Sequence, residues 1–149
     1  MTDNQFRTLK GYKLHNSNQL TDSMEDYLEM ICRTSEKEGY VRMSQLAEAL
    51  NVKPSSCTKM VANLRDAGYV DYQKYGLIKP TVKGKEMGEY LLHRHQVLTN
   101  FLSYVNQTDE ELEEVEQIEH YLKKETVANI EKLLNKLEKL EQKPGIDNL

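Results

Sequence analysis

Between Gly39 and Gly68 the chain is punctuated at short intervals, and that spacing leaves few folds open to it. Ser44 can cap a short helix with Leu46, Ala49 and Leu50 inward, and Asn51-Val52-Lys53 then reads as a turn. Pro54 suits the first turn of the next helix, whose apolar face is Met60, Val61, Leu64 and Ala67, and Gly68 closes it as a left-handed terminal residue. Two short helices joined by a tight turn make a helix-turn-helix.

The flanking segments fit around that unit. Thr21-Asp22-Ser23 offers three possible N-caps for a helix carrying Met24, Tyr27, Leu28 and Ile31 and stopping near Gly39. Tyr69-Val70-Asp71-Tyr72 and Leu77-Ile78-Lys79 lean toward strand around Tyr75-Gly76, which predicts a hairpin wing. Thr81 can cap a long helix through about Tyr104, with Met87, Leu91, Leu98 and Leu102 among its buried positions. Asp109 starts a fifth helix, and Glu125-Thr126 a last one striped with Ile130, Leu133, Leu134, Leu137 and Leu140 and ended by Pro144-Gly145. That stripe needs an apolar partner, either the chain's own core or a second subunit. Residues 1–20 show no sustained period and are expected to be a mobile tail, solvated or serving as a basic arm through Arg7, Lys10 and Lys13.

A chain of 149 residues holds one domain, or a small domain with a helical extension. No Gly-rich phosphate loop or internal repeat is present, which argues against a nucleotide-binding enzyme. No apolar run approaches the roughly 18 residues of a membrane span, and no secretion signal opens the chain, so the expected location is the cytoplasm, without membrane contact. Cys32 and Cys57 are too far apart for a C-x-x-C pair and read as ordinary thiols, Cys32 in a core and Cys57 on a helix.

The net charge of −4 conceals an asymmetry. Residues 53–85 carry seven Lys or Arg against two Asp, whereas residues 107–141 carry eleven Asp or Glu against five Lys. In the basic segment, Ser55, Ser56, Thr58 and Lys59 fall in the first turns of the Pro54 helix, where backbone N–H groups and the helix dipole favour phosphate. Lys53 precedes them in the turn, and Lys74 and Lys79 belong to the wing. The combination points to double-stranded DNA, whereas Ser55 and Ser56 taken alone would read as caps.

In the acidic segment Glu116, Glu119 and His120 occupy i, i+3 and i+4 and project from one helical face. Asp26 and Glu29 share a face of the first helix, and the L-H-R-H run places either His93 or His95 inward, with His95 preferred. Such carboxylates usually form a solvated face. Two pairs on separate helices with imidazoles would repel strongly if packed together without a cation, and oxygen and nitrogen donors without thiolate suit Mn²⁺ or Fe²⁺. A dinuclear hydrolase uses similar donors, but no nucleophile, oxyanion element or small organic substrate site is legible, so the chain reads as a non-enzyme.

The motifs S-M-E-D-Y-L-E, M-S-Q-L-A-E-A-L-N-V-K-P-S-S-C-T-K-M-V, L-L-H-R-H and V-E-Q-I-E-H resemble, in order, those of the diphtheria-toxin-repressor family of metalloregulators, most closely its manganese-responsive, MntR-like branch. The resemblance covers about residues 22–140. It implies that Asp26, Glu29, His95, Glu116, Glu119 and His120 hold a binuclear Mn²⁺ site, with Fe²⁺, Zn²⁺ or Cd²⁺ as other possible ions. The iron-responsive branch places a cysteine where Glu116 stands and adds an SH3-like domain for which this chain is too short. The resemblance further implies a homodimer formed by the C-terminal helices. Cys57 stands where a small aliphatic or hydroxyl residue is usual, and the wing reads Y-Q-K-Y-G-L-I-K-P where Arg-Gly is frequent.

The expected fold is mainly α: a tail over 1–20, a winged helix-turn-helix over 21–80, a helical metal-binding and dimerisation domain over 81–143, and a tail over 144–149. The expected function is a manganese-dependent repressor of metal-uptake genes, in which metal fixes the dimer for operator DNA. The alternative is a winged-helix repressor controlled by another ligand or by cysteine oxidation.

Overall fold

The computed structural model describes Thr8 and residues 20–73, 76–109 and 112–142. Arg7, Lys10, Lys13, Lys74, Tyr75, Pro144 and Gly145, and with them the readings of both tails and of the wing tip, lie outside the described residues. Helix α1 spans Asp22–Thr34, and of its three possible caps Thr21 serves, its hydroxyl accepting from the Met24 N–H at 3.1 Å. It ends five residues short of Gly39. The Ser35 N–H closes on the Ile31 carbonyl, and turns then carry the chain to Gly39.

Strand β1 (Val41–Arg42) leads into α2 (Met43–Leu50), and α3 follows as Pro54–Asp66 with proline in its first turn. Ser44 is not the cap: α2 starts at Met43, two residues before the start a Ser44 cap would set, behind Arg42, whose N–H donates to the Gln45 side chain at 3.0 Å. Ala47 is buried with Leu46, whereas Ala49, expected inward, faces solvent. Asn51 takes the left-handed conformation (φ 53°) that makes the tight turn, and Gly68 does so after α3 (φ 86°). Strands β2 (Val70–Gln73) and β3 (Leu77–Pro80) form the wing, and β1 adds to β3, giving the antiparallel order β1-β3-β2. Tyr72 pairs with Ile78 and Asp71 with Lys79, so an opposite-charge pair lies across the hairpin.

Helix α4 (Val82–Asn106) is the spine, started by Thr81 as expected. It runs through two cores. Its first half, with Leu91, joins Leu28, Ile31, Leu46, Cys57, Val61, Leu64 and Ile78 beneath the reading head. Its second half, with Leu98 and Leu102, packs with Val115, Ile118 and Ile130. Close approach of α4 to its neighbours needs glycine twice: a Cβ on Gly84 would collide with the Tyr69 carbonyl, and one on Gly88 with the Cys32 sulfur.

Helix α5 covers Leu112–Ile118 among the described residues; Asp109, its expected start, lies in a bend, and residues 110 and 111 between them are outside the described residues. The chain then tightens into a 3₁₀ turn over Glu119–Tyr121 before α6 (Lys124–Glu141). The stripe on α6 divides: Leu134 and Val127 are buried, whereas Leu133 and Leu140 are each 48% exposed. No helix among the described residues is long and apolar enough to cross a membrane.

Candidate metal centre and DNA-reading face

Three elements converge where the two cores meet. From α1 come Glu25, Asp26 and Glu29; from α4, Arg94 and His95; from α5 and the 3₁₀ turn, Glu116, Glu119 and His120. Leu28 and Ile31 bury the opposite flank of α1 in the reading-head core, which directs its carboxylates toward this junction. His95 Nδ1 lies 3.0 Å from Glu119 Oε2 and 3.7 Å from Glu116 Oε1. His120 Nε2 lies 3.0 Å from Asp26 Oδ1 and 3.8 Å from Glu119 Oε1. Donor atoms of Asp26, Glu119 and His120 fall within 4.8 Å of one another, as do those of His95, Glu116 and Glu119. Glu119 belongs to both triads.

Glu29 reaches the same pocket, only 7% exposed, but one of its oxygens is held by Arg33 at 2.9 Å and it completes neither triad. Of the two histidines of L-H-R-H, His95 faces the junction, while His93 sits outside on Glu131 at 3.1 Å.

The electrostatics are those of crowded negative charge. Burial raises the Glu29 carboxyl, and the Glu119 charge raises it further, against the pull of Arg33 and His95. Glu116 is raised by burial, then by Glu119 and Glu29. His95 is raised by its hydrogen bond to Glu119, against burial. Burial pulls His120 down, yet Asp26 and Glu25 together push it up to about 10.

Glu119 is fully buried, and its Oε1 has no hydrogen-bond partner among the described residues. A buried carboxylate costs several kcal/mol unless compensated, and one lone-pair edge facing an all-oxygen and nitrogen donor set fits a divalent cation. Neither thiol belongs to either donor triad: Cys57 is fully buried in the reading-head core, and the half-buried Cys32 packs against α4.

Two residues of the site, Glu25 and Arg94, are absent from the expected ligand set. Arg94 had a legible signal, since it falls on the same face of α4 as Leu91 and Leu98 at helical spacing. Glu25 stands inside S-M-E-D-Y-L-E, but a single acidic residue beside Asp26 carries no sign of its own.

On the opposite side of α1, Lys53, Ser55, Ser56, Thr58, Lys59 and Lys79 are all exposed. Lys53 is the N-cap residue of α3 and makes no side-chain cap, so Ser55 and Ser56 lie within the first turn and are not caps. The Thr58 hydroxyl donates to the Pro54 carbonyl at 2.9 Å, leaving its lone pairs and methyl to the surface. Cys57 is turned away from that face. Its departure from the family pattern is thus a core substitution, without contact to the reading surface.

A winged helix-turn-helix with an exposed basic helix start, joined by a shared helix to a partly buried carboxylate–imidazole pocket, defines a DNA-binding protein of the cation-responsive kind. Two family models match: the iron dependent repressor N-terminal DNA binding domain over residues 19–77, and the iron dependent repressor metal binding and dimerisation domain over residues 81–146. The HTH-type transcriptional regulator MntR of Oceanobacillus iheyensis is 47% identical over 116 residues, covering 77% of this chain and 79% of its own. That of Bacillus pumilus is 41% identical over 124 residues, covering 83% and 86%. Among solved structures, the manganese regulator SloR superposes with a TM-score of 0.67 at 31% identity, covering 78% of this chain and 55% of that one. A manganese-dependent transcriptional repressor in complex with manganese gives a TM-score of 0.68 at 28% identity, covering 75% and 52%. The chain therefore spans about half the length of those two solved proteins. It belongs to the diphtheria-toxin-repressor (iron dependent repressor) family of metal-dependent, DNA-binding transcriptional regulators.

Proposed function

We propose that this protein is a manganese-dependent repressor of metal-uptake genes that binds operator DNA as a homodimer. Asp26, Glu29, His95, Glu116, Glu119 and His120 would hold the cations, expected at two per subunit, with Glu119 belonging to both donor triads. The observation that carries this reading is the Oε1 of the fully buried Glu119, which has no hydrogen-bond partner among the described residues, with Asp26 and His120 on one side of that carboxylate and His95 and Glu116 on the other. A cation bound there supplies the positive charge that cancels repulsion among the carboxylates. Its preference over other divalent ions rests on geometry and availability, since zinc and copper bind such donors at least as tightly by intrinsic affinity.

The protein's own residues convert that binding into a signal. Asp26 and Glu29 sit on the helix that packs into the reading-head core, and the other four donors sit on α4, α5 and the 3₁₀ turn. Drawing the two sets together would fix the head against α4 and α5, and the exposed Leu133 and Leu140 of α6, which packs on α4, form the apolar flank on which a second copy docks. Two heads held at a set separation match a two-fold operator. Ser55, Ser56, Thr58 and Lys59 face the major groove, with Lys53, Lys74 and Lys79 on phosphate. Control by oxidation of Cys57 is disfavoured by a thiol that is fully buried and whose pKa burial raises.

The test is a DNA-binding titration across divalent metals at fixed salt, repeated in chelator. Affinity that rises steeply with Mn²⁺ is expected, and by linkage operator DNA tightens Mn²⁺ binding equally. Equal affinity in Mn²⁺ and in chelator overturns the reading.

A further inference from the structure

Around His120 stand two side chains outside the six proposed ligands. Arg94, 3% exposed, places Nη1 3.2 Å from Glu25 Oε2. The other Glu25 oxygen lies 3.0 Å from His120 Nδ1. Across the same ring, Nε2 faces Asp26 at 3.0 Å and Glu119 at 3.8 Å. The imidazole thus has one edge toward the donor triad and the other toward a carboxylate whose second oxygen is tied to a buried guanidinium.

We propose that Glu25 and Arg94 are positioning residues of the cation centre: Glu25 accepts from the Nδ1–H of His120 so that only Nε2 is aimed at a cation, and Arg94 keeps Glu25 in that role. The proposal rests on the reading of Asp26, Glu119 and His120 as ligands. In a neutral imidazole the position of the single proton decides which nitrogen has the free lone pair, and a carboxylate on Nδ1 settles it while making Nε2 the better donor. Arg94 Nη2 also lies 3.5 Å from Nδ1. That contact is at the limit of a hydrogen bond and would need Nδ1 bare, so the shorter carboxylate contact prevails.

Arg94 has a second effect. Glu25, Asp22 and His120 also bring donor atoms within 4.8 Å of one another, so a released Glu25 could draw His120 toward the wrong side. A guanidinium on Glu25 opposes any cation there by like charge.

The experiment compares full-length wild type with Glu25→Gln, Arg94→Met, Arg94→Lys and His120→Ala. Mn²⁺ binding is measured by calorimetry and thermal unfolding is followed in chelator. The nitrogen bonded to metal is read from cadmium–nitrogen coupling in the Cd²⁺-loaded, ¹⁵N-histidine protein. Glu25→Gln and Arg94→Met are expected to weaken Mn²⁺ binding about ten- to a hundredfold, with Arg94→Lys between them and wild type. Coupling is expected at Nε2 of His120 in wild type and divided between Nδ1 and Nε2 in Glu25→Gln. If Glu25→Gln binds Mn²⁺ within about twofold of wild type, or weakens it with coordination still wholly through Nε2, the pair is a plain α1–α4 ion bridge and the proposal falls. Should Arg94→Met fail to fold, Glu25→Gln carries the test alone. A wild type that does not bind Mn²⁺, or His120→Ala that binds it as wild type does, would instead remove the ligand reading beneath it.

Discussion

At the scale of single residues, the cost of an unfilled pocket falls on Glu119. Replacing it with Gln removes a buried charge that has one bonded oxygen and one bare one. Glu119→Gln is therefore expected to bind Mn²⁺ at least about a hundredfold more weakly, yet to melt in chelator no lower than wild type, as calorimetry and thermal unfolding would show. A joint loss of binding and of metal-free stability would mean that the carboxylate supports the fold instead. The pH dependence has a definite sign. His120 is raised to about 10, so its stabilising contribution is complete below the ordinary histidine range near 6.5 and is lost as pH climbs toward 10. The raised Glu29 and Glu116 carboxyls act in the same direction at lower pH, because the folded chain binds their protons more tightly than the unfolded one does. In chelator the melting temperature should fall as pH rises from about 6.5 to 10, whereas Mn²⁺ affinity should rise as the competing protons leave. Residue types at helical spacing made Asp26, Glu29, Glu116, Glu119 and His120 visible as faces. Arg94 shares the face of Leu91 and Leu98, but a charged residue between two histidines outweighs that spacing and reads as surface until its burial against Glu25 is seen.

At the scale of elements, α4 tolerates no side chain at two of its glycines. Alanine normally favours a helix over glycine by about 1 kcal/mol, but at Gly84 the added carbon meets a backbone carbonyl that cannot turn aside. Gly84→Ala should thus lower stability by about 1–3 kcal/mol, seen as a drop in the denaturation midpoint; an increase would show that the wing and α4 can separate freely. The existence and order of the helices were legible from apolar spacing and from Pro54, Gly68 and Thr81, whose backbone demands are local. Boundaries were less so. Ser44 looks like a helix cap by type, but α2 begins at Met43, two residues before the start such a cap would set, behind a strand that pairs with Leu77 and Ile78, a contact made over thirty residues away in sequence. The 3₁₀ turn over Glu119–Tyr121 is likewise invisible to a pattern of one residue per 100°, although it carries two of the proposed ligands.

At the scale of the whole molecule, charge and apolar exposure set the partners. Lys59→Ala should weaken operator binding across sequences and reduce the slope of log affinity against log salt by about one, measured by fluorescence anisotropy; an unchanged slope would take Lys59 off the phosphates. Leu133→Glu combined with Leu140→Glu should shift sedimentation from dimer to monomer, since both side chains are half-exposed on one flank of α6. A retained dimer would move the interface elsewhere. The meeting of three elements in one pocket was not legible from spacing, because no local rule says which faces of distant helices touch; only the ordered motifs of the family resemblance carried it. The matched regions 19–77 and 81–146 divide between Ile78 and Thr81, yet the donors stand on both sides of that cut. Severing the chain there would leave each fragment with only part of the proposed donor set. The cation pocket is consequently not a transplantable module, and grafting it onto another head would require carrying α1 across with its carboxylates.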